Sequence, residues 1–428
     1  GEMESTGKVT QREIAANVQQ TVAQQVYNLD LEDFGPYRFD WTRNGRHMLL
    51  GGNKGHVAIM DVLRMNLVTE LHLRETLRDV CFLHNETLFA TAQRKYVYIY
   101  DQNGVELHCL RQHVEPTRLS FLPYHFLLAA VGKTGYLKYQ DTSTGELVSE
   151  HRTKLGACDV MAQNTTNGVI HLGHGNGVVT LWSPAMSTPL VRMLAHQGPV
   201  KDVAVDPTGR YMASAGMNKT FKIWDLRTFK ELHSYTSVQP AASLEFSQRG
   251  LLAVGFGSHI QVWRDACEKK ARAPYMRHEL PGKMASKVSW RPFEDVLGVG
   301  HSDGFTSMVV PGAGEPNYDA LEANPFESTK ERRETEVHSL LDKIGPETIA
   351  LDSSFLGTID TDSVSLAKEQ DELTAAAVEA AGGGPRERRE VRKQRGKSKT
   401  GRKLKKKRKN IMDAEKALLK KTAGGRRS

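Results

Sequence analysis

Between residues 195 and 225 short apolar runs alternate with turn-forming residues in a regular order. The runs are 200–205, 211–216 and 220–224, each about the usual length of a strand. Within the last, Phe221 and Ile223 alternate with Thr220, Lys222 and Trp224, the two-residue period of a pleated chain. Large side chains on both faces predict a sheet buried on both sides. Asp206-Pro207-Thr208-Gly209 separates the first two runs, with Pro presetting φ and Gly accepting a positive φ. Gly216-Met217-Asn218-Lys219 separates the second and third, so the stretch reads as a three-strand meander.

The meander recurs along most of the chain. The residue pairs that close each third run are Met60-Asp61, Tyr100-Asp101, Gln140-Asp141, Trp182-Ser183, Trp224-Asp225 and Trp263-Arg264, spaced 40, 40, 42, 42 and 39 residues. The turns after the first runs agree: Pro123, Pro207 and Pro292 are 84 and 85 residues apart, two periods each. Asn44-Gly45 and Arg249-Gly250 occupy equivalent places. A period near 40 is that of four-stranded propeller blades. With a seventh unit at 285–310, the pattern predicts an all-β, seven-bladed propeller over residues 37–320. The last blade has no fourth strand of its own. Residues 25–31 (QVYNLDL) are the expected donor, which would close the ring and remove an exposed sheet edge.

The 195–225 unit resembles a WD repeat, with His196 in the place of the motif's Gly-His histidine and Trp224-Asp225 as the closing dipeptide. Asn218 stands where that family's tight turn carries Asp. That departure weakens the expectation of the family's His-Asp-Ser-Trp hydrogen-bond network, though not the period.

Outside the propeller the period changes. Residues 10–27 predict a helix, with Thr10 as N-cap and Ile14, Val18, Val22 and Val26 recurring every fourth residue. Its narrow apolar stripe needs either the chain's own surface or another protein. Residues 328–344 predict a second helix, capped by Ser328 or Thr329 and stopped by Gly345-Pro346, with Val337, Leu340, Leu341 and Ile344 on one face. An Ala-rich helix and a Gly382-Gly383-Gly384 hinge follow, and then a basic tail. The expected organisation is 1–36, N-terminal helix and closing strand; 37–320, propeller; 321–360, post-propeller segment; 361–384, Ala-rich helix and hinge; 385–428, tail.

Charge sharpens this division. Residues 385–428 contain 20 Lys or Arg and 4 Asp or Glu, a balance of +16, so the net +8 of the chain leaves −8 for residues 1–384. The candidate RNA-binding residues are those of the tail. They are Arg386, Arg388, Arg389, Arg392, Lys393, Arg395, Lys397 and Lys399, then Arg402, Lys403, Lys405, Lys406, Lys407, Arg408 and Lys409. No aromatic residue interrupts them, so phosphate contact rather than base stacking is the available mode. Such a tail is expected to be disordered on its own, with a short helix at IMDAEKALLKK. Nuclear import is the competing use of the Lys405–Lys409 cluster, numbered 405–409.

Cys81, Cys109, Cys158 and Cys267 are far apart, with no CxxC pair, which points away from zinc and disulfides and toward a reducing compartment. No apolar run reaches membrane-spanning length, and no signal-peptide core is seen. The first residue is Gly1 rather than Met, the mark of a piece of something longer.

Local chemistry is weak. Gly173-His174-Gly175-Asn176-Gly177 and Gly132-Lys133-Thr134 imitate nucleotide loops. Both precede predicted strands rather than the helix such loops must open, so they read as blade turns. His171, His174 and His196 lack the carboxylate or thiolate partners of a metal site. No catalytic residue, metal, cofactor or small-molecule substrate is assigned, and the chain reads as a non-enzyme.

The segment ALEANPFESTKERRETEVHSLLDKIGPETIALD carries the most specific resemblance. Asn324-Pro325-Phe326, the Glu331-Arg332-Arg333-Glu334 helix and the 343–349 stretch KIGPETI, behind a propeller and before a Lys/Arg tail, resemble the nucleolar WD-repeat proteins with a BING-type C-terminal domain. That resemblance implies a nuclear, nucleolar component of the small-subunit processome, the U3 small nucleolar ribonucleoprotein assembly that matures small-subunit ribosomal RNA. Its implied partners are other processome proteins, further WD-repeat subunits among them, pre-ribosomal RNA and U3 small nucleolar RNA. Asn324, Pro325, Phe326, Val337, Leu340, Leu341 and Ile344 are the candidate protein-binding residues. A nuclear WD-repeat adaptor for a ubiquitin ligase or a chromatin complex is the alternative.

Overall fold

Seven antiparallel four-stranded sheets form the body of the molecule, in a computed structural model that describes residues 6–352 and 399–424. Blades 1 to 6 each use four consecutive strands and span residues 37–72, 77–110, 116–152, 158–194, 200–236 and 243–279. Blade 7 takes three strands, Ala285–Trp290, Val296–His301 and Gly304–Val309, and receives its outer strand, Asn28–Asp30, from the other end of the chain. The register of that closure is Asn28↔Thr306, Leu29↔Phe305 and Asp30↔Gly304. The expected donor segment thus supplies the missing strand. Gly304 makes the approach possible: its φ is +142°, and a Cβ there would meet the Leu29 carbonyl oxygen at 1.9 Å. Gly304→Ala should therefore cost about 2 kcal/mol in strain and overpacking. Thermal melts should show it, with faster proteolysis of residues 10–31.

The middle strands are buried on both faces, as in His47–Gly52, His56–Asp61 and Leu127–Gly132. Trp182, Tyr139, Phe39 and Phe221 are among the largest wholly buried side chains, and they fill the wedges between blades. The fourth strands form the rim and alternate exposed and half-buried, as in Val191–Leu194.

Polar side chains of the first strands stitch neighbouring blades around the channel. Asp40 Oδ2 accepts the Phe82 amide at 2.8 Å, and Asp79 Oδ2 accepts that of Leu119 at 3.0 Å. Asp202 accepts Leu244 N–H at 2.6 Å, while Glu245 accepts the Trp290 amide at 2.6 Å and the Ser289 hydroxyl at 3.0 Å. Burial pushes the Glu245 carboxyl up to about 7 against the opposing pull of Lys287. The sign follows from linkage. A carboxyl with a raised folded pKa favours the folded state below its unfolded value, and the advantage is lost as pH rises through about 7. The melting temperature of Glu245→Gln relative to wild type should therefore climb between pH 5 and pH 8.

The N-terminal segment departs from its expected single helix. It forms α1 (Gln11–Asn17) and a one-turn α2 (Gln20–Ala23), separated at Val18, which is extended. Thr10 caps α1 as expected, in a reciprocal capping box with Glu13. Tertiary contacts explain the break. The Gln11 amide is clamped to Val309, donating to its carbonyl and accepting its N–H, both at 2.9 Å, and Ile14 packs on the core of blades 6 and 7. The segment must then turn toward the closing strand, where Gln25 and Tyr27 carbonyls accept from Ser307. Of its apolar stripe, Ile14 is used within the chain.

Candidate functional site

The last propeller strand does not end the ordered chain. Residues 311–352 form a strap across the face built from the turns between first and second, and third and fourth, strands. Asp295 of blade 7 starts it, accepting the amides of Gly312, Ala313 and Gly314 at 2.8–3.0 Å. Above blade 1, Arg46 donates to the Pro325 carbonyl (3.3 Å) while paired with Asp61 (3.0 Å). Glu322 accepts the Tyr124 hydroxyl at 3.1 Å, and Arg43 lies over the Tyr124 ring at 4.6 Å.

The helix α3 (Thr329–Leu341) begins at Ser328 with a capping box to Glu331 and crosses blade 2. It is held by polar contacts. Arg332 forms an ion pair with Glu86 (2.7 Å), and one turn on Glu336 is hydrogen-bonded to His84 (3.0 Å), whose pKa burial lowers. Burial pushes the Glu86 carboxyl up, yet hydrogen bonds from its own amide and from Arg332 outweigh this and hold it below the usual range. Beyond α3, Lys343 pairs with Asp141 of blade 3 and donates to Ser143 (2.8 Å). The Ile344 amide donates to the Tyr124 carbonyl. The strap's buried anchor at its far end is Ile349, 2 % exposed among the core residues of blades 3 to 5, with its carbonyl taking the Ser183 hydroxyl at 2.5 Å.

This placement corrects the expected apolar face. α3 stops at Leu341, so Ile344 is not on it. Val337, Leu340 and Leu341 point to solvent, because Arg332 and Glu336 take the propeller side. Phe326 is 68 % exposed, against Tyr318. Asn324 caps the turn by accepting the Phe326 amide at 2.9 Å, and Pro325 is half-buried. The exposed candidates therefore form an apolar edge on a segment otherwise pinned by polar contacts. Arg43, Arg46, His84, Glu86 and Ile349 escaped sequence reasoning. Only the i, i+4 charge pair at 332 and 336 hinted at them.

The tail forms a separate unit. Its described part is one helix, α4 (Lys399–Gly424), where a disordered basic run followed by a short helix was expected. Lys, Arg, Leu and Ala are all strong helix formers, and their summed propensity outweighs like-charge repulsion of a few tenths of a kcal/mol per pair. Lys399 and Arg402 belong to its first turn. Lys403, Lys405, Lys406, Lys407, Arg408 and Lys409 are exposed, as are Leu404, Ile411 and Met412. Arg386, Arg388, Arg389, Arg392, Lys393, Arg395 and Lys397 lie outside the described residues, as do the Ala-rich run and the glycine hinge.

The three tempting histidines are placed apart in function. His174 Nε2 lies 2.7 Å from Thr180 Oγ1, which also takes the Trp182 indole N–H. His196 Nε2 lies 2.8 Å from Ser214 Oγ, which takes the Trp224 indole N–H. A His-Ser-Trp network is thus present, with Asn218 joining it through the Thr220 hydroxyl. His171 is buried between strands, and burial pulls His171 and His174 down to about 4, so both stay neutral at physiological pH. The two glycine-rich stretches are turns between adjacent strands of blades 3 and 4. Among the described residues no helix is long and apolar enough to cross a membrane.

Comparison with known proteins matches both parts of this architecture. A WD domain, G-beta repeat, matches residues 187–225, and the BING4CT (NUC141) domain matches residues 274–352, covering blade 7 and the strap together. The chain is 46 % identical over 395 residues to the U3 small nucleolar RNA-associated protein 7 of Saccharomyces cerevisiae, covering 89 % of this chain and 71 % of that protein. It is 45 % identical over 419 residues to the WD repeat-containing protein 46 of Homo sapiens, covering 96 % and 67 %. The Caenorhabditis elegans protein of the same name is 43 % identical over 85 % of this chain and 63 % of its own length. A propeller closed by its own N-terminal strand, a strap folded back over it and near full-length identity at this level place the chain in the family of WD-repeat proteins that carry the BING4CT domain.

Proposed function

We propose that the chain is a non-enzymatic scaffold of the small-subunit processome, working in the nucleolus on small-subunit ribosomal RNA maturation. The observation that carries this is the 46 % identity, over 89 % of this chain, to a protein named for its association with U3 small nucleolar RNA. The propeller and its strap serve protein partners, other WD-repeat subunits included. The exposed edge of Phe326, Val337, Leu340 and Leu341, with Asn324 and Pro325 shaping its turn, is the proposed contact.

The tail is the proposed contact with pre-ribosomal RNA and U3 small nucleolar RNA. In α4, Lys403 and Lys407, and Lys405 and Lys409, are like charges four residues apart that phosphates would neutralise. RNA should therefore raise the helicity of the tail as well as bind it, which circular dichroism of the full chain with and without RNA reads directly. Deleting residues 385–428 tests the reading in cells. The expected result is reduced cofractionation with pre-ribosomal particles and accumulation of unprocessed ribosomal RNA. Unchanged processing and retention would remove the tail from the mechanism, and crosslinks to DNA alone would favour a chromatin adaptor.

A further inference from the structure

The face opposite the strap has its own chemistry. It is built from the turns between second and third strands and from the connections between blades. In blades 1, 2, 3 and 5 the turns carry exposed Lys54, Arg94, Lys95, Lys133 and Lys219. The connections leaving blades 1, 2 and 3 add exposed Arg74, Arg111 and Lys154. The acidic residues on these turns and connections, from the one entering blade 1 to blade 5, are Glu32, Asp33, Glu75 and Glu115, so the arc carries 8 − 4 = +4. Among the described residues none of the eight cations is in an ion pair. The strap, by contrast, has 10 acidic and 4 basic residues over 311–352, a balance of −6.

The densest part of the arc is one continuous piece. The Glu115 amide donates to the Lys95 carbonyl (2.8 Å), and the Lys133 amide to the Glu115 carbonyl (3.1 Å). These bonds hold the blade 2 turn, the connection with Arg111 and the blade 3 turn side by side. Two half-exposed phenol rings lie within the same piece: Tyr96 follows Lys95, and Tyr136 opens the strand after the Lys133 turn. The Lys138 ammonium sits 5.7 Å from the centre of the Tyr136 ring. Cations interleaved with aromatic faces suit a single-stranded nucleic acid, whose phosphates meet the charges while its bases stack. An acidic peptide would use the charges and leave the rings idle.

We propose that this face, centred on Arg94, Lys95, Tyr96, Arg111, Lys133 and Tyr136, binds single-stranded RNA. It goes beyond the function proposed above, which gives the propeller to proteins and RNA to the tail. The strap face, acidic and pinned, is left to protein partners.

The test uses the purified full chain and a labelled 20-nucleotide oligouridylate, with affinity measured by anisotropy across a salt series. Arg94→Gln/Lys95→Gln/Lys133→Gln should reduce the slope of log K against log salt by about 2, since each lost phosphate contact removes roughly 0.7. Tyr96→Ala should weaken binding about tenfold with the slope unchanged, the signature of a lost stack. Lys330→Gln/Arg333→Gln, on the strap, should change neither. An unaltered slope in the triple variant at unchanged melting temperature would overturn the proposal. So would a triple variant that loses affinity for polyglutamate while keeping it for the RNA, which would assign the face to an acidic protein. Purified components make the result independent of whether the chain assembles into the processome, which particle cofractionation reads separately.

Discussion

Asp79→Ala is expected to destabilise the propeller by about 3–5 kcal/mol, the cost of leaving buried charge without its counterion. Asp79 is 4 % exposed, pairs with Arg38 Nε at 3.0 Å, and takes the Leu119 amide of the next blade at the same distance. Burial alone would raise its carboxyl, but Arg38 and Arg118 overcome this and hold it below the usual range. Removing it takes away the carboxylate paired with Arg38 and leaves an amide unpaired, while Arg118 keeps Asp202 and Asp159 nearby. Arg118 already feels the crowding, since burial and Arg38 pull it down to about 10. Asp79→Asn keeps an acceptor for Leu119 and should lose less. Urea denaturation followed by far-ultraviolet circular dichroism checks both. Equal and small losses would mean that the stitch between blades 2 and 3 is carried by packing alone.

Ile349→Ala should cost about 2–5 kcal/mol locally, the range for truncating a buried aliphatic side chain. The cost falls on the strap before the propeller. Ile349 inserts beside Gly168, whose added Cβ would meet it at 3.1 Å, and its neighbour Thr348 reaches the propeller through a hydrogen bond with His125 (3.1 Å). The expected outcome is faster proteolysis between residues 326 and 349 with little change in the propeller's melting temperature. Ile349→Val should lose about 0.5–1.5 kcal/mol and keep the strap protected. A lowered melting temperature with an intact strap would instead make Ile349 part of the propeller's cooperative unit.

The sequence announces the propeller far better than it announces either of these two sites. The blades are legible because the same strand and turn problem is solved seven times, and Met60, Tyr100, Gln140, Trp182, Trp224 and Trp263 all close third strands. The closing strand is legible because a blade without its fourth strand leaves an edge to cover. The strap is not. Arg332 and Glu86 are 246 residues apart, and nothing in either neighbourhood names the other. The same holds for Asp79, whose partners Arg38 and Leu119 lie one blade away on either side. Helix signals were reliable at caps, as at Thr10 and Ser328, and failed where tertiary contacts broke the period, as at Val18 and Ile344.

The closure of blade 7 also sets a schedule. Asn28–Asp30 leaves the ribosome before the blades do, but its partners at 304–306 follow some 304 − 30 = 274 residues later. At about 5–20 residues per second that is a wait on the order of tens of seconds. Through it six blades can form while their ring stays open. The strap emerges only afterwards, and its route from blade 7 across blades 1, 2 and 3 to Ile349 crosses the very junction that has just shut. Its seating thus follows the closure of the ring, and a seated strap marks a propeller that has already shut.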